Sequence, residues 1–284
     1  MTRELNEGPY VDLHVHTTAS DGALAPSQVV ARAAAAGLAA IAITDHDTID
    51  GLPEAVDAGA RAGVRVVTGC EFSVGVPWGE MHLLGYFLPA QSHELAGFLG
   101  AARADRERRA REMVERLAAA GAPIAEAAVF AVADGASVGR PHVARALLES
   151  GAVKTLDEAF DRFLGRGRPA FVEKRLPAFR DVAALVHRLG GVVSAAHLKD
   201  RGTRSNLNRL RGEGLDAVET RHPSHDADTR ARLTDLALAL GLARSGGSDW
   251  HGESADGWSH GALGSQGVPL AWLDGLEAAR PRAA

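Results

Sequence analysis

Short apolar runs rich in β-branched residues alternate along the chain with alanine-rich segments that are typical of helices. Most of these runs follow a helical segment closed by glycine, as at 27–36 before Gly37 and 181–189 before Gly190. This helix-then-strand alternation is typical of parallel α/β folds. The pattern predicts seven strands, at residues 10–16, 39–44, 64–71, 81–88, 191–197, 215–221 and 242–249.

The position of the polar residues distinguishes between two parallel folds that fit this pattern, an open sheet and a closed barrel. Polar side chains occur where the predicted strands end, and closed α/β barrels build their active sites at that rim. The stretch 93–171 breaks the alternation, with a long charged helix at 94–120, further helical segments and a loop at 165–169. We therefore predict an α/β barrel formed by residues 1–92 and 172–284, with 93–171 as a small helical insertion beside its mouth.

Composition limits the class of protein. The chain has 284 residues, of which 46% are hydrophobic, enough for a sizeable core. The single cysteine, Cys70, excludes an internal disulfide framework, so a cytoplasmic location is the default expectation. The first nine residues are polar, and no apolar run approaches the roughly 18 residues of a membrane span, so we expect neither a signal peptide nor a membrane anchor.

The charge balance restricts the partners. With 31 basic and 36 acidic residues, the net charge of -5 has the wrong sign for a protein that binds duplex nucleic acid by counterion release. We expect an anionic substrate to be small, with no duplex nucleic acid and no membrane among the partners. The oligomeric state stays open. The chain also holds 12 histidines, and histidine is the commonest metal ligand.

Two histidines end the first predicted strand. His14 and His16 are two residues apart, so the alternation of a strand directs both to one face. Asp21 follows in a Ser-Asp-Gly turn, and the second strand ends at Asp45 and His46. An HxH pair alone is also compatible with an ordinary polar strand end, so its interpretation depends on the other strand ends.

The later strand ends carry further potential ligands. Glu71 follows a run that is expected to be buried, where an unpaired carboxylate is costly unless a cation meets it, and a bridging ligand is its natural role. His82, His197, Asp249 and His251 lie on or after the fourth, fifth and seventh strands. Each alone could occupy a turn or a core position, but packing does not explain the whole set. A four-cysteine zinc site is excluded by the single cysteine.

Four motifs resemble the PHP (polymerase and histidinol phosphatase) family of the amidohydrolase superfamily. They are VDLHVHT at 11–17, SDG at 20–22, ITDHDT at 43–48 and GSDWH at 247–251. The resemblance covers nearly the whole chain and is greatest to the branch of 3',5'-nucleoside bisphosphate phosphatases and 5'-3' exoribonucleases. It implies a distorted (β/α)₇ TIM-like barrel, with which the seven predicted strands agree. In one departure, Leu198 follows His197 where relatives often have proline, and we expect this to alter the loop more than the ligation.

The resemblance also implies two to three divalent cations, with Mn²⁺ as first choice and Zn²⁺, Fe²⁺ or Mg²⁺ as alternatives. Carried over by position, one metal would be held by His14, His16 and Asp249, and Glu71 would bridge it to a second metal on His82 and His197. Asp21, His46 and His251 would hold a third. Because all nine positions carry residues able to ligate, the chain differs from degenerate PHP domains that survive only as structural modules.

Catalysis and substrate binding need further residues. Hydrolysis of a phosphate ester requires a nucleophilic oxygen and charge neutralisation, which clustered cations supply, and a proton for the leaving group. His222 and His225 at the end of the sixth strand are the candidates for the proton, the alternative being surface histidines in a turn.

A second phosphate would need cationic donors away from the metals. Arg140 and His142 begin a predicted helix, whose N-terminus adds amide donors, and Arg166, Arg168 and Lys174 follow the insertion. The alternative for each is simple solvent exposure. We interpret the arginine-rich run at 103–116 as a solvated helix face.

The sequence therefore predicts a metal-dependent phosphoesterase, a phosphatase acting on a small nucleotide. The first choice of substrate is a 3',5'-bisphosphonucleoside such as pAp, converted to a nucleoside 5'-monophosphate and phosphate, with short oligoribonucleotide ends as a close variant. Histidinol phosphatase, which would need an acidic patch, and a cyclic-phosphate diesterase are rivals on the same metal site. A noncatalytic, metal-stabilised binding module is the rival of another class. The intact ligand set, the acidic net charge and the absence of a fused domain argue against it.

Overall fold

The computed structural model describes residues 9–252 and 261–281, so residues 1–8 of the polar N-terminus lie outside the described part of the chain. All seven predicted strands are present, and a short eighth strand follows them. The strands are β1 (Tyr10–Val15), β2 (Ala40–Ile43), β3 (Arg65–Val76), β4 (Gly79–Tyr86), β5 (Val192–Ala195), β6 (Ala217–Arg221), β7 (Ala243–Gly246) and β8 (Val268–Pro269).

Helices surround the strands and form the segment between β4 and β5. The helices in the described residues are α1 (Pro26–Ala35), α2 (Leu52–Ala62), α3 (His93–Ala119), α4 (Glu126–Ala133), α5 (Arg140–Glu149), α6 (Leu156–Ala159), α7 (Phe179–Arg188), α8 (Arg204–Gly212), α9 (Ala227–Leu240) and α10 (Leu270–Ala278). A π-helical turn, Phe160–Leu164, follows α6, and a 3₁₀ turn, Lys199–Arg201, precedes α8. None of these helices has both the length and the apolar character that crossing a bilayer requires.

The strands form one sheet in the order β7-β6-β5-β4-β3-β2-β1-β8. The sheet curls until the segment after β7 meets the end of β1, where Val15 pairs with Trp250 and the His16 amide donates to the Trp250 carbonyl at 3.0 Å. This confirms the predicted α/β barrel. The closure brings His16 and Asp249 together, because the first strand and the last loop of the mouth become neighbours.

The direction of β4 differs from the parallel arrangement expected. β3 does not end at Glu71 but continues to Val76, and β4 returns antiparallel beside it. A tight turn at Pro77 and Trp78 leaves no room for a crossover helix, and Gly79 accepts the φ of 121° at which the chain re-enters the sheet. Because β4 is also antiparallel to β5, its first residues lie at the barrel mouth, where the parallel strands end.

Alternate residues of the strands belong to two core clusters. Ile41 and Ile43 pack with buried residues of α1 and α2, whereas Ala40 and Ala42 join a cluster that includes Tyr86 and residues of α10. This period-2 alternation explains why strands buried on both sides read as continuous apolar runs. The Tyr86 hydroxyl donates to the Leu13 carbonyl at 2.9 Å and so satisfies its own buried oxygen.

The second half of α3, helices α4 to α6 and the π-helical turn share a hydrophobic core of their own. Its buried members run from Ala110 in α3 to Val172 beyond the π-helical turn. Several contacts tie this segment to the barrel mouth: the Ser137 amide donates to the Ala19 carbonyl at 3.0 Å, Arg106 pairs with Asp47, and Arg103 pairs with Asp50. The division of the chain into a barrel and an insertion at 93–171 remains a prediction.

Candidate metal centre

Glu71 lies at the centre of a cluster of histidines at the barrel mouth. Its Oε2 lies 3.4 Å from His14 Nε2, 3.3 Å from His16 Nε2 and 3.0 Å from His46 Nδ1. Its Oε1 lies 2.9 Å from His82 Nδ1 and 3.1 Å from His197 Nε2. Imidazoles from five different places in the sequence therefore converge on one buried carboxylate.

Two further carboxylates complete the cluster. Asp249 Oδ1 lies 3.3 Å from His14 Nε2 and 3.1 Å from His16 Nε2. On the other side of His16, Asp21 Oδ1 lies 3.3 Å from His251 Nε2. All nine sequence-predicted ligands thus meet at the mouth: His14, His16, Asp21, His46, Glu71, His82, His197, Asp249 and His251.

Their potential ligand atoms form overlapping groups that could each surround a cation. One group contains His14, His16, Glu71 and Asp249, a second contains His16, Asp21, His46 and His251, and a third contains His46, Glu71 and His82. These groups resemble the three positions inferred from the PHP resemblance, except that His46 also lies beside Glu71 and His82. The assignment of each ligand to a particular metal remains a prediction.

Buried atoms without hydrogen-bond partners test whether the site fits cations. Within 9–252 and 261–281, most such side-chain atoms belong to this cluster: His14 Nε2, both ring nitrogens of His16, Asp21 Oδ1, His46 Nδ1 and Glu71 Oε2. Several of these atoms lie about 3 Å from another atom of the cluster, but the angles between them do not suit hydrogen bonds. Leaving buried polar atoms unpaired is costly, whereas imidazole nitrogens and carboxylate oxygens aimed at a common point suit divalent cations. The residues present therefore fit a metal centre.

The charges of the cluster are strongly coupled. Burial alone would raise the pKa of Glu71, but the surrounding histidines, His46 first among them, hold it well below its usual range. Burial lowers the pKa of His16, yet its contacts with Asp249 and Glu71 outweigh this and raise it to about 10. The contacts within the cluster therefore favour ionised carboxylates, the form that binds divalent cations.

Glu219 on β6 holds two of the predicted ligands, although sequence analysis gave it no role. This fully buried carboxylate accepts a hydrogen bond from His14 Nδ1 at 2.9 Å and another from the His197 amide at 2.7 Å. The first contact fixes the tautomer of His14 and directs its Nε2 toward Glu71 and Asp249. The second supports His197 in a backbone with φ of 31°, which is rare for a residue other than glycine. At Leu198 φ is -62°, so leucine adopts the backbone angle to which proline is restricted.

Two other buried carboxylates brace the loops that carry ligands. Asp45 accepts hydrogen bonds from the Thr17 amide and hydroxyl, both at 2.7 Å, and from the Ser20 hydroxyl at 2.6 Å, beside Asp21. Asp12 accepts from the Ser248 amide at 2.9 Å, next to Asp249. Both residues stand in the motifs that carry the family resemblance, and both act here on the backbone.

Glutamine at position 219 is expected to lower the affinity for Mn²⁺ by about ten- to a hundredfold, because it removes the negative charge that orients His14. Competition with a chromogenic chelator measures this affinity. Glu149→Gln, at an exposed position on α5, is the matched control and should bind as the wild type does. Unchanged affinity in Glu219→Gln, with unchanged circular dichroism, would contradict the positioning role.

A cavity of about 340 Å³ opens above the cluster and has a cationic wall opposite the histidines. Arg140 and Lys174, two of the predicted substrate-binding residues, line this wall together with Arg106 and Arg109 of α3. Lys174 Nζ contacts the Glu80 carboxylate and the Ser73 hydroxyl. The cavity therefore places a cluster of cations directly beside the metal centre.

The burial of Arg106 and Arg109 corrects the interpretation of 103–116 as a solvated helix face. Arg106 donates to Asp47 Oδ2 from Nε at 2.8 Å and from Nη2 at 2.6 Å. Arg109 is 2% exposed and donates from Nε to the Val172 carbonyl at 3.2 Å. Burial, together with the neighbouring charges of Arg106 and Arg140, lowers the pKa of Arg109 to about 10.

The spacing of these two arginines in the sequence could have predicted that they are buried. They lie on the same stripe of α3 as the buried residues Leu99, Ala110 and Met113. Other arginines of the run behave as expected: Arg108, Arg111 and Arg116 are paired at the surface with acidic residues.

The remaining predicted substrate-binding residues differ in their support. Arg166 lines a second cavity next to the first. His142 is buried, and its Nδ1 accepts a hydrogen bond from the Gly139 amide at 2.9 Å, so it caps α5. Arg168 is exposed. Neither His142 nor Arg168 is among the residues that line these two cavities, so their positions do not favour substrate contact.

The two histidines predicted as proton donors differ in their positions and hydrogen bonds. His222 lines the cavity, its Nδ1 accepts from the Ser224 amide at 3.0 Å, and its Nε2 lies 3.3 Å from Asp249 Oδ2. Because an amide can only donate, the His222 proton sits on Nε2, facing the metal centre. His225 is buried, accepts from the Lys199 amide and contacts the Thr220 carbonyl, so both of its ring nitrogens are engaged.

A nearly closed α/β barrel whose mouth combines clustered histidine and carboxylate ligands with a cationic cavity defines a metal-dependent hydrolase of phosphoric esters. Comparison with known families agrees, since residues 12–217 match the PHP domain. The chain belongs to the PHP family of metal-dependent phosphoesterases.

Similar proteins are known by sequence and by structure. A 3',5'-nucleoside bisphosphate phosphatase from Chromobacterium violaceum is 36% identical over 87% of this chain and 89% of its own length. A 5'-3' exoribonuclease from Haemophilus influenzae is 35% identical over 84% of this chain and 89% of its own length. The solved structure of a protein described as a metal-dependent phosphoesterase, from Bifidobacterium adolescentis, is 30% identical, covers 95% of this chain and 96% of its own, and superposes with a TM-score of 0.85.

Proposed function

We propose that the protein removes one phosphate from a small nucleotide that carries two, with a 3',5'-bisphosphonucleoside as the preferred substrate and a nucleoside 5'-monophosphate as product. The observation that carries this proposal is the cationic wall beside the metal centre. The names of the similar phosphatase and exoribonuclease support it. The end of a short oligoribonucleotide offers the same two phosphates and is a close variant.

The cations of the wall divide into those with and those without a carboxylate partner. Arg106 is paired with Asp47, and Lys174 with Glu80. For Arg109 and Arg140, no carboxylate of the described residues lies within ion-pair distance. The Arg140 guanidinium instead lies over the rings of Phe160 and Phe171, at 5.9 and 5.8 Å from their centroids.

Burying an arginine without a counter-ion is costly, and a phosphate offers guanidinium groups charge and bidentate geometry at once. Arg109 and Arg140 are therefore proposed to bind the phosphate that is not cleaved, while the other phosphate lies at the metal centre. Histidinol phosphate would instead need a free carboxylate for its amine. The acidic partners of the cationic wall are already engaged, Asp47 by Arg106 and Glu80 by Lys174 and His82.

The catalytic roles follow from this placement. Two or three divalent cations, with Mn²⁺ as first choice, supply an activated water and neutralise the phosphoryl oxygens when bound. The nine predicted ligands hold them, and Glu219 orients His14. Of the two predicted proton donors we favour His222, because it lines the cavity and the Ser224 amide holds its ring with Nε2 toward Asp249.

Alanine at Arg140 is expected to lower kcat/KM for adenosine 3',5'-bisphosphate by about ten- to a hundredfold, because a charge-assisted bidentate contact contributes roughly 1.5 to 3 kcal/mol. Hydrolysis of p-nitrophenyl phosphate should stay within about threefold of wild type, since this ester has no second phosphate. Phosphate release with added Mn²⁺ measures both rates.

Arg168→Ala is the matched control, because Arg168 is an exposed arginine outside both cavities. Equal losses for both substrates in Arg140→Ala would place this arginine at the cleaved phosphoryl group or in support of the fold, and would remove its support for a bisphosphate. The same assay over nucleotides, sugar phosphates and histidinol phosphate tests the substrate class itself.

A further inference from the structure

A second cavity adjoins the one above the metal centre and shares its wall. It has a volume of about 460 Å³, and both cavities are lined by His82, Arg140 and His197. A ligand could therefore extend from the metal centre past Arg140 into this space without leaving the protein surface. The combined space exceeds what one phosphate at the metals and another at Arg140 would fill.

Two aromatic side chains line the second cavity. Trp78 stands at the tip of the β3–β4 hairpin, is half-buried and packs against the main hydrophobic core. Phe171 is also half-buried, and its ring carries the Arg140 guanidinium at 5.8 Å from the centroid. Packing against the core holds Trp78 in place, and the Arg140 guanidinium lies against Phe171, so both rings offer flat surfaces to a ligand.

The polar side chains of this cavity are mainly cationic. Among the described residues, Arg140, Arg166 and Arg201 line it together with one acidic residue, Glu80. Glu80 is paired with Lys174 and lies 3.4 Å from His82 Nε2, so its negative charge is partly balanced by these neighbours. Aromatic rings beside arginines suit flat, electron-rich heterocycles, because both ring faces and guanidinium planes stack on nucleobases.

We propose that the second cavity binds the nucleobase of the substrate, with Trp78 as the principal stacking residue. This inference rests on the proposed function, since it takes the substrate to be a nucleotide with one phosphate at the metals and one at Arg140. Arg140 belongs to both cavities and links the phosphate to the base. The base of the same nucleotide, rather than the next nucleotide of a strand, is the occupant, because a next nucleotide would be joined to the phosphate at the metals and not to the one that Arg140 holds.

Trp78→Ala is expected to lower kcat/KM for adenosine 3',5'-bisphosphate by about ten- to a hundredfold, the range found when a base loses its stacking partner. Trp78→Phe keeps an aromatic face and should restore most of the loss. An abasic deoxyribose 3,5-bisphosphate has no base to stack, so its kcat/KM should be the same in all three proteins. Equal losses on both substrates, or no loss on either, would overturn the proposal.

A binding measurement separates this inference from the proposed function. Adenosine 5'-monophosphate should quench the tryptophan fluorescence of the metal-loaded wild-type protein, and should quench that of Trp78→Phe much less. This quenching would support the base site even if no bisphosphate were hydrolysed, in which case the proposed function alone would fail. Hydrolysis of the bisphosphate without Trp78-dependent quenching would overturn the base site alone. A Trp78 effect confined to a dinucleotide substrate would assign the cavity to the next nucleotide and would also overturn it.

Discussion

Replacing Glu71 by alanine is expected to lower kcat by about a thousandfold or more. The carboxylate lies within 3.4 Å of ring nitrogens from His14, His16, His46, His82 and His197, so no other side chain of the cluster contacts as many predicted ligands. Metal ions contribute several kcal/mol of transition-state stabilisation, and each 1.36 kcal/mol is about a factor of ten in rate. Phosphate release at saturating Mn²⁺ measures the effect.

The variants His14→Ala and Asp249→Ala should behave alike, because both residues face the same point as Glu71. Asp57→Ala, an exposed carboxylate on α2, is the control and should keep full activity. Circular dichroism and thermal melting separate a lost ligand from a lost fold. Retention of more than about a tenth of wild-type turnover in any of the three would show that the residue is not an essential ligand.

Removal of divalent cations by a chelator is expected to abolish hydrolysis, and added Mn²⁺ should restore it. The metal-free protein should also melt at a lower temperature, because it keeps buried histidine and carboxylate atoms that have no hydrogen-bond partner. A ligand present at a thousandfold excess over its Kd stabilises the folded state by about 4 kcal/mol, which for a chain of this size corresponds to roughly 10 °C in Tm. Differential scanning calorimetry and phosphate release measure the two effects.

Elemental analysis of the purified protein gives the number of metals, for which we expect two to three equivalents. A value near two would indicate that the group of Asp21, His46 and His251 is not permanently filled. Full activity in chelator, with less than one equivalent bound, would contradict the metal centre as a whole.

The ligands could be predicted from sequence because they sit in short motifs at strand ends, where a local pattern determines which side chains leave the sheet together. The direction of β4 could not be predicted in this way. A mostly apolar run such as 81–88 reads the same in either direction, and only the tight turn at Pro77 and Trp78 reverses the chain. His82 lies at the mouth because it is near the start of β4, which is antiparallel to both of its neighbouring strands.

The roles of the other buried charged residues were harder to predict from the sequence than the ligands. Glu71 and Glu219 have the same local signature, a carboxylate in an apolar strand, yet one faces the metal centre and the other faces N–H donors. The role of each carboxylate depends on residues that are distant in sequence. The side-chain donor to Glu219 is His14, which is 205 residues away. Arg106 and Arg109 resemble surface residues in the sequence because their neighbours are charged. They are buried because α3 lies beside the barrel mouth.

The pair between Arg106 and Asp47 bears on how this protein could be recombined with its relatives. Asp47 directly follows His46 in the loop after β2, while Arg106 belongs to α3, and each is buried against the other. A chimera that received a helical segment without an arginine at the position of Arg106 would leave Asp47 without this counter-ion, next to a predicted ligand. The loop after β2 and helix α3 therefore form one unit for exchange between proteins, although about 60 residues separate them in sequence.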